Sequence, residues 1–187
     1  MTDYNEYFRY LTKRSTRGLY YRRYWLYPRL NRWLRGRVLD IGCGIGDFLR
    51  FRPGTIGVDV NPGTVAFCKE QGLPAQTMEP DQLPFGEREF EGVMLDNVLE
   101  HIENPRPLLN EISRVVVPGG RLIVGVPGRR GYASDADHKV FYDRHHLEAV
   151  VEASDFSLIR IIHMPIRMEW LDARVRQYCL YGVFERN

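Results

Sequence analysis

Glycine recurs at every second position over residues 42–46, directly after a short apolar run. The run is residues 38–41 (VLDI), and Gly42, Gly44 and Gly46 follow it. A strand that passes through a glycine turn into a helix is how a doubly wound α/β fold brings backbone N–H groups close to a ligand. The pattern therefore predicts a ligand site at the carboxyl end of this strand.

The spacing of these glycines indicates the kind of ligand. Dinucleotide-binding turns have the pattern G-x-G-x-x-G, which seats a pyrophosphate on the following helix. Here the pattern is G-x-G-x-G, and Asp40 stands two residues before the first glycine. Because a carboxylate at a strand end repels phosphate and attracts cations, we expect a ligand that carries an ammonium or sulfonium group.

The series Asp40-x-Gly42-x-Gly44-x-Gly46 resembles the first motif of the class I S-adenosylmethionine-dependent methyltransferases. The resemblance continues through most of the chain, to the turn at residues 118–120 (PGG) and the apolar segment after it. It implies S-adenosyl-L-methionine as the cofactor. The residues that it implies as cofactor-binding are Asp40, Gly42, Cys43, Gly44, Gly46, Asp59, Val60, Met78, Glu79, Leu95 and Asn97.

Individual roles follow from where these residues stand in the motifs. Asp59 ends the second apolar run about 20 residues after Asp40, where nucleotide-binding sheets place the acid that accepts hydrogen bonds from the ribose hydroxyls. By resemblance, Met78 would pack on the adenine ring and Glu79 would lie near its exocyclic amine. Leu95 and Asn97, at the end of the fourth strand, would be cofactor neighbours beside the methyl group.

The residues that follow the fourth strand indicate the class of methyl acceptor. It lacks the Asp/Asn-Pro-Pro-Tyr box typical of methyltransferases that act on base amines or glutamine amides, and it lacks the Pro-Cys typical of cytosine-carbon enzymes. The segment from Asn97 to His101 resembles instead the small-molecule and natural-product branch. For a hydroxyl acceptor, a general base within hydrogen-bond reach assists transfer, and His101, His138 and Tyr142 are the catalytic candidates.

Basic and aromatic residues are concentrated before the first strand. Residues 1–37 hold ten of the 26 Lys and Arg but two of the 24 acids, a net charge of +8 against −6 for the rest. The spacing predicts one amphipathic helix over Tyr4–Leu11, a break at residues 17–18, and a second helical stretch. Three interpretations remain open: a lid over the pocket, a surface for nucleic acid or anionic lipid, or packing on the sheet.

Composition limits the remaining choices. With 187 residues, 44% of them hydrophobic, the chain is expected to form a single domain over 1–187, with 1–36 as a helical lid and 37–187 as the core. Cys43, Cys68 and Cys179 are far apart, without a Cys/His cluster of zinc-ligand spacing, so no metal site is predicted. No apolar run reaches the ~20 residues of a membrane span, and we expect a cytoplasmic protein, with peripheral membrane contact left open.

The predicted fold is a three-layer α/β/α sandwich. The resemblance implies a seven-stranded, mostly parallel sheet in the order 3-2-1-4-5-7-6, with the last strand antiparallel; the alternation of strands and helices supports the same sheet. The predicted function is methyl transfer to a small molecule, sugar or lipid intermediate, with O-methylation favoured and nucleic acid disfavoured. Arg17, Arg129 and Arg130 favour an anionic acceptor. The alternatives are an RNA-modifying methyltransferase and a non-catalytic S-adenosylmethionine-binding module.

Overall fold

The computed structural model describes residues 16–167, 174–175 and 177–187, so the helix predicted over Tyr4–Leu11 lies outside the described residues. Seven strands form one sheet in the order β3-β2-β1-β4-β5-β7-β6. The strands are β1 (Val38–Ile41), β2 (Ile56–Asp59), β3 (Ala75–Thr77), β4 (Phe90–Asp96), β5 (Val116–Pro127), β6 (Phe156–Met164) and β7 (Cys179–Arg186). Strands β1–β5 pair in parallel and β7 runs antiparallel to β5 and β6. The predicted sheet order is confirmed.

Helices precede the sheet and alternate with its strands. They are α1 (Thr16–Tyr21), α2 (Tyr27–Asn31), α3 (Asp47–Phe51), α4 (Pro62–Glu70), α5 (Arg106–Val115), α6 (Arg129–Tyr132) and α7 (Arg144–Glu152). A π-helical turn (Arg22–Leu26) joins α1 to α2, and a 3₁₀ turn (Leu99–His101) follows β4. Side chains cap the N-termini of two helices: Asn61 accepts a hydrogen bond from the N–H of Gly63 in α4, and Asp143 accepts one from the N–H of His146 in α7.

Each face of the sheet is buried by its own set of side chains. Leu39 and Leu95 point to the face covered by α5 and α7, whereas Val38 and Met94, one position away on the same strands, point to the other. That second face is covered by the segment before the sheet, whose buried side chains are Leu26, Tyr27, Leu30 and Leu34. Because parallel strands bury both faces, each face needs its own helical cover.

The helical segment before β1 differs from the prediction at residues 17–18, which lie inside α1 and do not break it. A glycine in a helix costs only about 1 kcal/mol relative to alanine, so a single glycine is compatible with α1 although this helix has no buried side chain. Pro28 falls within the first turn of α2, directly after the π-helical turn, where the missing N–H of proline is tolerated.

The region after β5 also contains more regular structure than expected. The sequence predicts an irregular loop over residues 128–142, but α6 occupies its first part. Strand β5 begins at Val116, before the predicted start at residue 121, and its pairing with β4 shifts register around residues 118–120. Within the described part of the chain, every helix is too short or too polar to cross a bilayer.

Candidate active site

A cleft opens at the carboxyl ends of β1 and β4, beneath the helical segment that precedes the sheet. The cleft encloses a cavity of about 60 Å³ and opens to solvent at its mouth. Its lining residues are Arg22, Tyr27, Asp40, Gly42, Cys43, Gly44, Asp47, Phe48, Met94, Asp96 and Asn97. It lies at the point where the connections from β1 and β4 leave the sheet on opposite sides, which is where open α/β sheets bind ligands.

The glycine turn forms the floor of this cleft. Gly42 and Gly44 have φ of +72° and +53°, in the left-handed region that favours glycine. A Cβ atom on Gly42 would lie 2.4 Å from Cγ2 of Val98, so this position also needs a residue without a side chain. The N–H groups of Gly42 and Cys43 donate to the carbonyl of Val58 at 2.8 and 3.0 Å. These hydrogen bonds attach the turn to β2.

Asp59 connects the glycine turn to the end of β2. Its Oδ2 accepts a hydrogen bond of 2.8 Å from the N–H of Gly44, and its Oδ1 accepts one of 2.8 Å from the N–H of Asn61. Burial raises the pKa of Asp59, and these two backbone hydrogen bonds oppose that shift. Because a carboxylate oxygen has two lone pairs, both oxygens retain capacity for a ligand hydroxyl.

The charges of the cleft are unbalanced. The carboxyl groups of Asp40, Asp59 and Asp96 lie close enough to interact, and the Arg22 guanidinium opposes them. Burial raises the pKa of Asp40 well above its usual range, and the neighbouring charges of Asp96 and Asp59 raise it further. A cationic ligand in the cleft would supply the missing positive charge, since opposite charges stabilise the ionised carboxylates.

Asp96 is the centre of a hydrogen-bonded network at the top of β4. Arg22 Nη1 donates to Asp96 Oδ2 at 3.0 Å and to the Tyr27 hydroxyl at 3.1 Å. The Tyr181 hydroxyl and the Asn97 side-chain amide each donate to Asp96 Oδ1 at 2.8 Å. Asn97 has a φ of +55°, a conformation that Asn tolerates better than most residues. The network joins the helical segment, β4 and β7.

The structure brings together some of the sequence-predicted cofactor residues and separates others. Asp40, Gly42, Cys43, Gly44 and Asn97 line the cleft. Gly46 directly precedes α3, Asp59 and Val60 stand at the end of β2, and Met78 and Glu79 follow β3. The Leu95 side chain is fully buried in the core on the opposite face from Met94 and Asp96, so its backbone alone faces the strand end.

Six cleft residues were not predicted from the sequence: Arg22, Tyr27, Asp47, Phe48, Met94 and Asp96. Arg22 and Asp96 are separated by 74 positions in the sequence, and no local pattern predicts that they form a pair. Asp96 carried one usable signal, because it is the acid that ends the β4 run next to Asn97. Met94 could have been inferred from its position two residues before Asp96 on the same face of the strand.

The predicted catalytic histidines lie together beyond β4. The rings of His101 and His138 are 4.7 Å apart between centroids, and His138 Nε2 is 3.8 Å from Oε1 of Glu100. Burial lowers the pKa of His101, and the neighbouring His138 lowers it further, so this imidazole is neutral at pH 7. Burial raises the pKa of Glu100 to about 8. Glu100 was not among the residues predicted from the sequence.

Tyr142 lies apart from the cleft lining. Its side chain is buried in the core formed with α7, and its ring stacks on His146 at 4.7 Å between centroids. Burial raises the pKa of Tyr142 to about 12, with a further contribution from the charge of Glu100. Its hydroxyl therefore stays protonated at neutral pH. Of the arginines proposed for an anionic acceptor, Arg130 donates from Nη1 to the carbonyl of Arg174 at 2.8 Å.

Comparison with known proteins identifies the family. A family model described as a methyltransferase domain matches residues 39–124, a range that runs from β1 into β5 and includes the glycine turn, Asp59 and Asp96. Residues 39–124 carry a methyltransferase domain that is similar to those of S-adenosylmethionine-dependent enzymes. S-adenosylmethionine is therefore the cofactor that this methyltransferase domain implies.

Curated relatives align with about half of the methyltransferase chain. An uncharacterized protein of Methanocaldococcus jannaschii is 33% identical over 98 residues, covering 52% of this chain and 48% of that protein. The probable tRNA methyltransferase 9B of Homo sapiens is 28% identical over 110 residues, covering 54% and 24%. The ubiquinone biosynthesis O-methyltransferase of Maricaulis maris is 32% identical over 113 residues, covering 52% and 42%. The chain spans half or less of the length of these relatives.

Solved structures extend the likeness to the whole fold. A SAM-dependent methyltransferase from Thermotoga maritima superposes with a TM-score of 0.77 at 16% identity, covering 98% of this chain and 100% of that one. The methyltransferase in a complex with the Haloferax volcanii Trm112 methyltransferase activator gives 0.76 at 15% identity, covering 100% and 98%. At these identities the likeness concerns the fold.

The residues of the cleft fit S-adenosylmethionine. This cofactor carries a sulfonium and an ammonium group, and the cleft has a surplus of carboxylates around Asp40. The left-handed turn at Gly42 and Gly44 is part of the cleft lining, so its backbone is accessible to a ligand. Asp59 stands at the end of β2, where ribose hydroxyls are bound in related sheets. The cleft therefore matches S-adenosylmethionine in its charge and in the access that it gives to the backbone.

Proposed function

We propose that this methyltransferase domain transfers a methyl group from S-adenosylmethionine to a small-molecule acceptor. The observation that carries the proposal is the acidic cleft lined by Asp40 and Asp96, with Asp59 hydrogen-bonded to the lining residue Gly44. The Maricaulis maris relative, named as an O-methyltransferase of ubiquinone biosynthesis, supports an acceptor of this size.

The residues of the cleft would bind the cofactor in a fixed orientation. Asp59 would accept the ribose hydroxyls, while Asp40 and Asp96 would offset the positive charges. When bound, S-adenosylmethionine supplies a methyl group that is already activated on a sulfonium. The protein therefore has to align the acceptor and exclude water, and orientation alone can contribute up to ~7–11 kcal/mol to a bimolecular reaction.

The acceptor would lie on the side of the cleft where the 3₁₀ turn meets the loop after β5. A hydroxyl acceptor has to lose its proton during transfer, and we propose His101, whose pKa is lowered by burial, or its neighbour His138 as the group that accepts this proton. Transfer to oxygen is therefore favoured over transfer to carbon.

The helical segment that covers the cleft indicates the size of the acceptor. The helical segment buries Leu26, Tyr27 and Leu30 on the sheet and extends Arg22 across the cleft to Asp96. A cleft covered in this way suits an acceptor that enters it whole. Arg129 and Arg130 are exposed in α6, at the end of β5 and on the same loop as His138, and they favour an acceptor with a carboxylate or phosphate group.

The test is a turnover assay that follows S-adenosylhomocysteine release with four groups of acceptors: phenols and quinones, sugars, carboxylic acids, and phosphate-bearing lipids. Calorimetry with S-adenosylhomocysteine comes first and is expected to show saturable binding. Turnover with a member of one group supports the proposal. Binding without turnover for any acceptor, including a cell extract, favours the non-catalytic module, and absence of binding by the folded protein rejects both.

An RNA-modifying activity is the second candidate, and one observation favours it. Helix α1 and the π-helical turn expose Tyr20, Tyr24 and Trp25, with the guanidinium of Arg29 3.3 Å from the centre of the Trp25 ring. Stacked aromatics beside arginines are typical of surfaces that bind single-stranded RNA. Affinity for tRNA that falls steeply with salt would support this function, because counterions are released when arginines contact phosphates. Salt-independent or absent binding would remove it.

A further inference from the structure

The cluster of Glu100, His101 and His138 has the arrangement of a metal site. One carboxylate oxygen of Glu100 and one nitrogen of each imidazole lie within 4.8 Å of one another. Two atoms that are both about 2.1 Å from one metal ion are at most about 4.2 Å apart. The three ligand atoms therefore need to approach each other only slightly to share an ion.

The hydrogen bonds of the two imidazoles determine which nitrogen can bind. His138 Nδ1 is 2.8 Å from the carbonyl oxygen of Tyr132, and His101 Nδ1 is 3.3 Å from the carbonyl oxygen of Asp137. Since a carbonyl only accepts, each Nδ1 must carry the proton, which leaves the lone pair on Nε2. Metal-ligating histidines in proteins are oriented in this way, with the other ring nitrogen donating to a backbone carbonyl.

Glu100 provides the second, independent observation. Its side chain is 1% exposed, and neither carboxylate oxygen accepts a hydrogen bond from another residue in the described ranges 16–167, 174–175 and 177–187. A buried carboxylate without donors is costly, and buried charges in proteins are normally paired or coordinate a metal. Once Glu100 is ionised, its carboxylate and the imidazole lone pairs are all acceptors, so a cation that replaces the proton would satisfy them together.

The backbone holds the two halves of the cluster together. The N–H groups of Lys139 and Val140 both donate to the carbonyl of Glu100, at 2.8 and 3.1 Å. These bonds attach the loop that carries His138 to the 3₁₀ turn that carries Glu100 and His101. On the outer side, Oδ2 of Asp135 lies 3.9 Å from His138 Nε2 and offers a further oxygen. The site is therefore built by two segments that meet beyond β4.

We infer that Glu100, His101 and His138 bind a divalent transition-metal ion of the Zn²⁺ or Fe²⁺ kind. Imidazole ligands suit these ions, whereas Mg²⁺ and Ca²⁺ are bound mainly by oxygen. Three protein ligands leave coordination positions open, as in catalytic metal sites. A hydroxyl that occupies an open position would lose its proton more readily, and the proton would pass to water. This role rests on the proposed function, but the metal binding does not.

The experiment titrates the chelator-treated full chain with Zn²⁺ by calorimetry and with Co²⁺ by visible absorption. Wild-type protein is expected to bind one Zn²⁺, and the Co²⁺ complex is expected to show d–d bands without thiolate charge transfer. Glu100→Gln and His138→Gln are each expected to weaken Zn²⁺ binding by roughly tenfold or more. Glu103→Gln and His145→Gln, which change exposed residues of the same types nearby, are the matched controls and are expected to bind as wild type.

Several outcomes would overturn the site. These are no Zn²⁺ binding at millimolar concentration, unchanged binding in both cluster variants, thiolate ligation of Co²⁺, or Mg²⁺ bound as tightly as Zn²⁺. If a cluster variant does not fold, X-ray absorption of the wild-type Zn²⁺ complex identifies the ligands instead. Two imidazoles and a carboxylate oxygen give a spectrum that differs from those of other ligand sets. S-adenosylhomocysteine affinity is measured in parallel. A protein that binds Zn²⁺ but not S-adenosylhomocysteine contradicts the proposed function and leaves the metal site standing.

Discussion

The guanidinium of Arg22 donates a 3.0 Å hydrogen bond to the carboxylate of Asp96. Arg22 belongs to the helical segment before the sheet, and Asp96 ends β4, so this pair attaches that segment across the mouth of the cleft. The side chains are 22% and 11% exposed. In this partly buried setting the pair is poorly screened by solvent, and each partner would be left without its main counter-charge if the other were removed.

A double-mutant cycle on this pair measures its strength. We expect Arg22→Met and Asp96→Asn to be coupled by about 0.5–3 kcal/mol in the free energy of unfolding, measured by urea denaturation. The exposed pair Arg144–Glu148, at 3.9 Å on α7, is the matched control. Changed to Met and Gln, it should show coupling below ~0.5 kcal/mol. Additive effects at Arg22 and Asp96 would mean that the contact contributes nothing to stability.

Local patterns in the sequence predict the glycine turn and the alternation of strands and helices, whereas the order of the strands was implied by the resemblance to the class I methyltransferases. Buried parallel strands read as short apolar runs, and the turn at Gly42 and Gly44 requires a conformation that only glycine adopts readily. The turn adopts these left-handed conformations, and the strand order 3-2-1-4-5-7-6 is confirmed.

The remaining parts of the site depend on contacts between distant segments. Arg22 and Asp96 are 74 residues apart, and His138 approaches Glu100 because backbone hydrogen bonds hold residues 139 and 140 to the 3₁₀ turn. No periodic pattern in the sequence indicates either of these two contacts. The spacing of Cys and His along the chain does not indicate a site built from a carboxylate and two imidazoles of different segments.

The role of Asp59 is tested by separating two functions that the structure gives it. Asp59→Ala removes the acceptor for the N–H groups of Gly44 and Asn61. We expect it to lower the free energy of unfolding by about 1.5–3 kcal/mol, with Asp81→Ala, at an exposed acid, as the control. Ribose binding is examined with S-adenosylhomocysteine and its 2′-deoxy analogue.

Wild-type protein should bind the 2′-deoxy analogue about tenfold more weakly than S-adenosylhomocysteine, a difference of ~1.4 kcal/mol. Asp59→Ala should bind both ligands weakly and with similar affinity, because the group that recognises the hydroxyl is gone. If the variant still discriminates between the two ligands as wild type does, Asp59 holds the glycine turn and does not bind the ribose.

The exposed aromatic residues of the helical segment provide a test of the acceptor. Tyr20 and Tyr24 are 60% and 64% exposed, and their rings stack at 5.7 Å between centroids. The double change Tyr20→Ser, Tyr24→Ser should alter the free energy of unfolding by no more than ~0.5 kcal/mol, since neither side chain is in a core. For a small-molecule methyltransferase, turnover should stay at the wild-type value. Loss of turnover on tRNA with retained S-adenosylhomocysteine binding would favour the RNA-modifying alternative.

Asp40 should be a residue that improves binding at the expense of stability. Burial and the charges of Asp96 and Asp59 raise its pKa in the folded protein above the value in the unfolded chain. Between those two values the folded state holds more protons than the unfolded state, so the free energy of unfolding falls as the pH rises through this window. Asparagine has the same shape as aspartate but does not ionise, so it would not cause this loss of stability at position 40.

We therefore expect Asp40→Asn to be more stable than wild type at pH 7.5 when no ligand is bound, and the difference should shrink as the pH falls below about 4, where the wild-type carboxyl becomes protonated in the unfolded state as well. In the same variant, affinity for S-adenosylmethionine should fall at least tenfold, or ~1.4 kcal/mol, because a counter-charge of the cationic ligand is lost. Urea denaturation at several pH values and calorimetry at pH 7.5 measure the two effects. Parallel stability profiles for the two proteins would show that Asp40 carries no charge penalty, and unchanged affinity would show that it does not face the cofactor.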